Sequence, residues 1–265
     1  MEFSEVVGGF PIEAGRASAS VPGDWLQGRT AFGGLSAALA SRAARSVLPR
    51  DWPLRELQVA FIGPVPEGPV ELEARLLRAG RSTAQAEGRI LSGGQVATMV
   101  VGTYGVPRSS RLAWPTLASP TEDDPERGRP LPWIPGVTPV FTQHIEMRWV
   151  AGGLPFSGVA QPRFRVLLRH REQVPVGEAH LIALADAIPP PGLAVLKAPV
   201  PASSLTWTLE MLGHEYDDAP GRWWRMDAEV TTGGEGYLHQ TATLFDPDGR
   251  PVALNRQLVV VYDAG

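Results

Sequence analysis

Residues 33–48 read GGLSAALASRAARSVL, a glycine pair followed by a run of alanine, leucine, serine and arginine with no proline. Alanine and the straight-chain residues are the strongest helix formers, so this stretch predicts a helix. Its surface is small on nearly every side, which suits a helix packed from all directions. Four further stretches follow: ELQVAFIGPV (56–65), GPVELEARLLRAG (68–80), RSTAQAEGRIL (81–91) and QVATMVVGTYGV (95–106). Each alternates or is rich in β-branched residues, and Gly and Pro turns separate them, so they read as strands.

The same plan recurs downstream. EAHLIALADAI (178–188) is helical, and SSLTWTLEML (203–212), RWWRMDAEVT (222–231), GYLHQTATLF (236–245) and PVALNRQLVVVY (251–262) are strand-like. A strand-like stretch also precedes each helix, FPIEAGRASASV (10–21) and FTQHIEMRWV (141–150). ALAS (38–41) lies over ALAD (183–186), and ILSGGQVA (90–97) resembles LFDPDGRPVA (244–253). Between the halves, residues 114–139 carry seven prolines, an acidic cluster and no apolar period. The chain therefore divides into a first repeat (1–113), a proline-rich linker (114–139) and a second repeat (140–265). One helix and an antiparallel sheet, made twice, predict an α+β architecture in which a curved sheet wraps each helix.

Composition narrows the function. With 43% hydrophobic and 20% charged residues, the 265-residue chain is ordinary for a globular protein with a sizeable core. A net charge of -4 offers no basic footprint for nucleic acid or an anionic membrane. The acidic N-terminus resembles no secretory leader, and no run reaches the ~18 apolar residues of a membrane span. Zero cysteines exclude disulfides and thiolate chemistry and fit a cytoplasmic chain. The five histidines never fall at the i, i+4 spacing of a helical zinc site, so no metal or other cofactor is expected. No G-x-S-x-G elbow, P-loop or dinucleotide fingerprint is present.

One residue is out of place. In LIALADAIPPPG (181–192) an apolar helix ends on Asp186 just before three prolines. Burying an ionised acid there costs several kcal/mol unless it is paired or hydrated, which marks Asp186 as a candidate for chemistry.

These residues resemble the acyl-CoA thioesterase II family, double-hotdog enzymes that hydrolyse fatty acyl-CoA. The resemblance rests on FGG (32–34), FIGPV (61–65), LLRAGRS (76–82), LAD (184–186), the Ser-Leu-Thr at 204–206 and VALNRQLVVVY (252–262). It covers nearly the whole chain and implies a double hotdog fold, an acyl-CoA substrate and a homo-oligomer. It also implies a catalytic trio of Asp186, Ser204 and Gln257. Two places depart from the family: Thr206, where Asp is common, and TWTLEML (206–212), where an aromatic and His-rich run is common.

Laying one half over the other puts Asp186 on Ser41, Ser204 on Glu56 and Gln257 on Val101, so the polar trio has no counterpart in the first half. The glycine pair has the opposite asymmetry, since the second helix begins VGEAH. Gly33 and Gly34 are expected to bind substrate by offering helix N-terminal N–H groups to the thioester carbonyl. Asp186 is expected to act as general base on a water that attacks directly, with Ser204 and Gln257 holding that water or orienting the carboxylate. Two other readings stay open: a non-catalytic acyl-CoA or acyl-lipid binder, and a hotdog hydratase or dehydratase pairing Asp186 with a histidine, the nearest in sequence being His180.

Overall fold

The computed structural model describes residues 1–112, 114, 117, 123–214, 216 and 220–263. The first half of the linker therefore lies largely outside the described residues. A short helix α1 (Phe3–Gly8) leads into strand β1 (Arg16–Val21), a small hairpin of β2 (Leu26–Gln27) and β3 (Thr30–Ala31), and helix α2 (Gly33–Ser46). Strands β4 (Leu54–Phe61), β5 (Gly68–Ala79), β6 (Thr83–Ser92) and β7 (Gln95–Gly105) complete the first half. The second half contains β8 (Arg129–Pro130), β9 (Ile145–Gly152), β10 (Arg163–His170) and helix α3 (Glu178–Asp186). It ends with β11 (Ala202–Met211), β12 (Trp224–Gly234), β13 (Tyr237–Phe245) and β14 (Pro251–Val261).

Twelve strands form one sheet in the order β1-β5-β6-β7-β4-β11-β14-β13-β12-β10-β9-β8. The halves join where β4 pairs antiparallel with β11, from Thr206↔Ala60 to Glu210↔Glu56. Both helices lie on the inner face, and α2 is buried from Gly34 through Ser41 and again at Ala43 and Ala44. The small residues of α2 let the sheet come close: a Cβ at Gly88 on β6 would sit 2.0 Å from the Ala40 carbonyl oxygen. Around the helices Trp25, Phe32, Leu35, Leu39, Leu57, Trp207 and Trp224 are almost fully buried in one continuous core.

Three expectations change. The strand RFRVLLRH, which became β10, was not anticipated; it pairs with β12 as β1 pairs with β5, so β10 and not the 141–150 stretch is the counterpart of β1. Part of the predicted linker is structured, because β8 pairs with β9 at Arg129↔Trp149 and Pro130↔Arg148.

The third change concerns the overlay of the halves. Ile62 and Gly63 both donate to the Ala97 carbonyl, and Leu212 and Gly213 both donate to that of Val252, which sets Ala97 on Val252. Matching register shifts at Leu54/Glu56 and Ser204/Thr206 set Leu54 on Ser204. Counting along the strands, Ser204 lies over Leu54 and Gln257 over Gly102, not over Glu56 and Val101. The bulges match in both halves and so cancel; the slip at Gln257 arises because the Val-Ala at 96–97 resembles the Val-Ala at 252–253, which puts Ala97 one residue away from its structural partner Val252. The asymmetry survives, since neither Leu54 nor Gly102 carries a polar side chain.

Gly88→Ala should overpack the α2–β6 contact and cost about 1–3 kcal/mol, read as a lower denaturant midpoint at unchanged slope.

Candidate active site

The last residue of α3 meets the first turn of α2. Phe32 precedes that turn with its N–H bonded to the Trp25 carbonyl at 2.9 Å, and its ring stacks on Phe141 at 3.9 Å. The helix start is thus held rigid by backbone and ring contacts. A Cβ at Gly33 would lie 2.6 Å from Asp186 Oδ2 and 3.1 Å from Phe61 Cζ. One at Gly34 would lie 2.5 Å from the Phe32 ring and 2.9 Å from Ala183 Cα. Glycine is needed at both places for space, since any side chain would push the carboxylate or the helix away.

Asp186 sits in a chain of hydrogen bonds that reaches across the sheet. Gln257 Nε2 donates to Asp186 Oδ1 at 2.8 Å, and the Gly34 backbone N–H also donates to the carboxyl. Ser204 Oγ donates to Gln257 Oε1 at 3.2 Å, and Gln240 Nε2 donates to the same oxygen at 3.0 Å. All three predicted polar residues are therefore brought together. The glycine pair divides its work: Gly34 binds the acid, and Gly33 supplies the space beside it.

Burial pushes the Asp186 carboxyl up to about 7, against the smaller lowering effects of the Gln257 and Gly34 hydrogen bonds. Its place at a helix C-terminus acts in the same direction as burial, because the negative end of the dipole disfavours an anion. An acid that titrates near neutrality can exchange a proton with water or a leaving group at ordinary pH.

Two residues of the site went unread in the sequence. Gln240 is the direct cross-strand neighbour of Gln257 and only 6% exposed. Asn255, two residues before Gln257 on the same face, donates to the Ala185 carbonyl and ties the end of α3 to β14. The parity of β14 alone, which puts residues 255, 257 and 259 on one face, could have found Asn255.

Beside this network lies a small apolar cluster separate from the main core. Leu193, Val259 and Val261 are buried there against Phe156, Leu196, Val200, Ala202 and Leu238. Leu238 pairs with Val259 as Gln240 pairs with Gln257, so apolar and amide pairs stand side by side on one face. An open cleft of about 970 Å³ lies elsewhere. Its polar wall includes Asp227, Glu229, Thr241 and Thr243, whose parity places them on the face opposite Gln240, and none of the trio lines it.

The matching place in the first half is filled. Gly102, the counterpart of Gln257, lies under the Tyr104 ring, which a Cβ would approach to 2.6 Å. Glu178, in the position of Gly33, is bound by two nitrogens of Arg45. Burial lifts the Tyr104 phenol to about 12.

Residues 21–105 match the acyl-CoA thioesterase N-terminal domain, and residues 125–261 match the acyl-CoA thioesterase C-terminal domain. Among solved structures, a conserved protein of unknown function with a hot dog fold from Alicyclobacillus acidocaldarius is 23% identical, with a TM-score of 0.88 over 99% of this chain and 98% of that one. An acyl-CoA thioesterase II, TesB2, from Mycobacterium marinum is 18% identical, with a TM-score of 0.73 over 98% of this chain and 97% of that one. The tesB protein of Mycobacterium avium subs paratuberculosis is 15% identical, with a TM-score of 0.78 over the same shares. These likenesses establish the hot dog fold. No curated protein matches the chain in sequence.

The raised Asp186 makes a prediction about stability. From pH 3.8 the unfolded chain loses this proton while the folded chain keeps it, so stability falls as pH rises and the loss is complete above about 7. Asp186→Asn should therefore be more stable than the wild type at pH 8, by at most about 4 kcal/mol, with the difference shrinking toward pH 4 in paired thermal melts.

Proposed function

The chain belongs to the acyl-CoA thioesterase family, and from that premise we propose that it hydrolyses a medium- or long-chain acyl-CoA to the free acid and coenzyme A by direct attack of water. The observation that carries this reading is the Asp186 carboxyl, bonded to Gln257 and Gly34 and raised to about 7 at the mouth of a helix start. In its ionised form Asp186 takes a proton from water as that water attacks the thioester carbonyl. Ser204 and Gln257 fix the carboxylate and the water, and the first turn of α2 faces the developing oxyanion with its positive dipole end. The proton held by Asp186 is then available to the leaving thiolate.

The chain is read as two tandem hotdog repeats, residues 1–113 and 140–265, joined by the 114–139 linker, with one competent site between them. The filled twin place supports a single site. The apolar cluster at Leu193, Val259 and Leu238 supports an acyl tail lying beside the amide pair. Among the described residues no helix is long and apolar enough to cross a membrane; a cysteine-free chain supports a reducing compartment, the cytoplasm. Homo-oligomer assembly belongs to the same reading, and the outer edge of β1 offers backbone groups that a second copy could pair.

The two other readings are weaker on specific grounds. His180 stands in the first turn of α3, at the opposite end from Asp186. It accepts from the Gly177 N–H at 3.3 Å and packs on Phe3 at 5.0 Å. This disfavours an Asp–His hydratase pair. A pure binder gains nothing from a buried acid that opposes folding above pH 4.

Free thiol release from a panel of acyl-CoAs tests the reading. Wild type should be active on the longer chains, and Asp186→Asn should lose roughly 10²-fold or more. Wild-type kcat/KM should fall about tenfold per pH unit below the Asp186 pKa and level off above it. Binding without thiol release across the panel would make the chain a binder. Val259→Phe, which narrows the apolar cluster, should shift preference toward shorter chains.

A further inference from the structure

We propose that Gln240 is a positioning residue for the reaction: its side-chain N–H locks the Gln257 amide in the one orientation that presents a donor to Asp186. This inference rests on the hydrolase reading above. The geometry is a row across the inner face of the sheet, in which Trp207, Gln257 and Gln240 are successive cross-strand neighbours on β11, β14 and β13. A glutamine amide is nearly symmetric in shape, and only its partners decide which end faces where. Gln257 Oε1 accepts from Ser204 at 3.2 Å and from Gln240 at 3.0 Å, so two donors hold the carbonyl end away from Asp186. The NH₂ end is left for the carboxylate at 2.8 Å. Ser204 Oγ is the second donor, the weaker of the two by distance.

Gln240 is an expensive residue for its place. It is 6% exposed, and among the described residues its own Oε1 is buried without a hydrogen-bond partner. Leaving such an oxygen unpaired costs free energy that an apolar side chain would save. Its counterpart in the filled twin place is Ala86, which pairs with Gly102 as Gln240 pairs with Gln257. The first half has dropped the amide row along with the acid.

Without Gln240, the Gln257 amide is free to turn its carbonyl toward Asp186. A carbonyl accepts from a protonated acid and repels an ionised one, so the turn favours the protonated form. The groups that meet Asp186 from its neighbours are uncharged, Gly33 and Gly34 from α2 and Gln257 from β14, and the Phe61 ring of β4 packs beside Gly33. No charged side chain contributes to its titration, which makes the carboxyl a clean reporter of the amide's orientation.

The test is Gln240→Met, with Gln240→Leu as a second variant should the first not fold, each also made in a Gln257→Met background. The Asp186 titration is followed by carboxyl ¹³C NMR, assigned with Asp186→Asn, and kcat and KM are measured on the best acyl-CoA. We expect the Asp186 midpoint to rise by roughly one pH unit, the size of one hydrogen bond, and the pH profile of kcat/KM to move with it. At pH 7, where the ionised fraction of Asp186 drops from about a half to about a tenth, kcat should fall about fivefold with KM within twofold of wild type. In the Gln257→Met background Gln240→Met should add nothing. An unshifted Asp186 midpoint, or an equal loss in the Gln257→Met background, would overturn the proposal. The titration needs no substrate, so a shifted midpoint in a chain that cleaves no thioester would keep the role of Gln240 and remove the hydrolase reading. Thiol release with an unmoved Asp186 would do the reverse.

Discussion

Asp186 can occupy its place only because two residues on the opposing helix have no side chains. With any Cβ at Gly33 the carboxylate would have to leave, and with any at Gly34 the two helices would have to separate near Ala183. The close approach then creates its own demand. A half-buried carboxyl in that crevice loses much of its water, and a group so placed either finds donors or holds its proton to a higher pH. The Gly34 N–H and the Gln257 amide are those donors, and they offset only part of the burial, leaving the acid poised near neutrality.

The sheet exists in the form it does partly to deliver those donors. Gln257 comes from β14 and Ser204 from β11, and their contact depends on the register shift at Ser204/Thr206 that brings the serine diagonally toward the amide. Asn255 holds the end of α3 to the same strand, so the acid and its donor are fixed to one another through two points only two residues apart. A rigid sheet carrying the amides and a helix end carrying the acid keep the geometry without relying on a loop.

Much of this was legible in the sequence, for physical reasons that also explain what was not. The glycine pair and the alanine-rich run announced α2 because helix propensity and small size act locally, and the observed Gly33–Ser46 lies within the predicted stretch. Asp186 stood out because an acid ending an apolar helix breaks the pattern. Ser204 and Gln257 came from resemblance and not from pattern; in the structure Gln257 bonds to Asp186 and Ser204 bonds to Gln257. Residues such as Gln240 stay silent because a lone glutamine between histidine and threonine on a strand looks like surface, and only pairing with Gln257 buries it. β10 carries the ordinary strand pattern, with Arg163, Arg165 and Arg169 alternating with Phe164, Val166 and Leu168, so its strand was legible in the sequence and the reading of the second half passed over it. The overlay of halves slips by one residue at Gln257 because the Val-Ala at 96–97 resembles the Val-Ala at 252–253 one residue out of structural register, and by two at Ser204, where no sequence match anchors the start of the strand.

The filled twin place gives the asymmetry a cause. Two equivalent crevices would require two uncompensated carboxyls, each opposing folding above the normal aspartate range. The first half keeps the fold while removing that cost: Ser41, Leu54, Ala86 and Val100 stand where the second half has Asp186, Ser204, Gln240 and Asn255. Gly102 yields its space to the Tyr104 ring, and Arg45 pairs with Glu178, where the other crevice has Gly33. The retained crevice carries a free-energy penalty that the twin place lacks, and a penalty kept at one of two related places supports the proposal that Asp186 reacts.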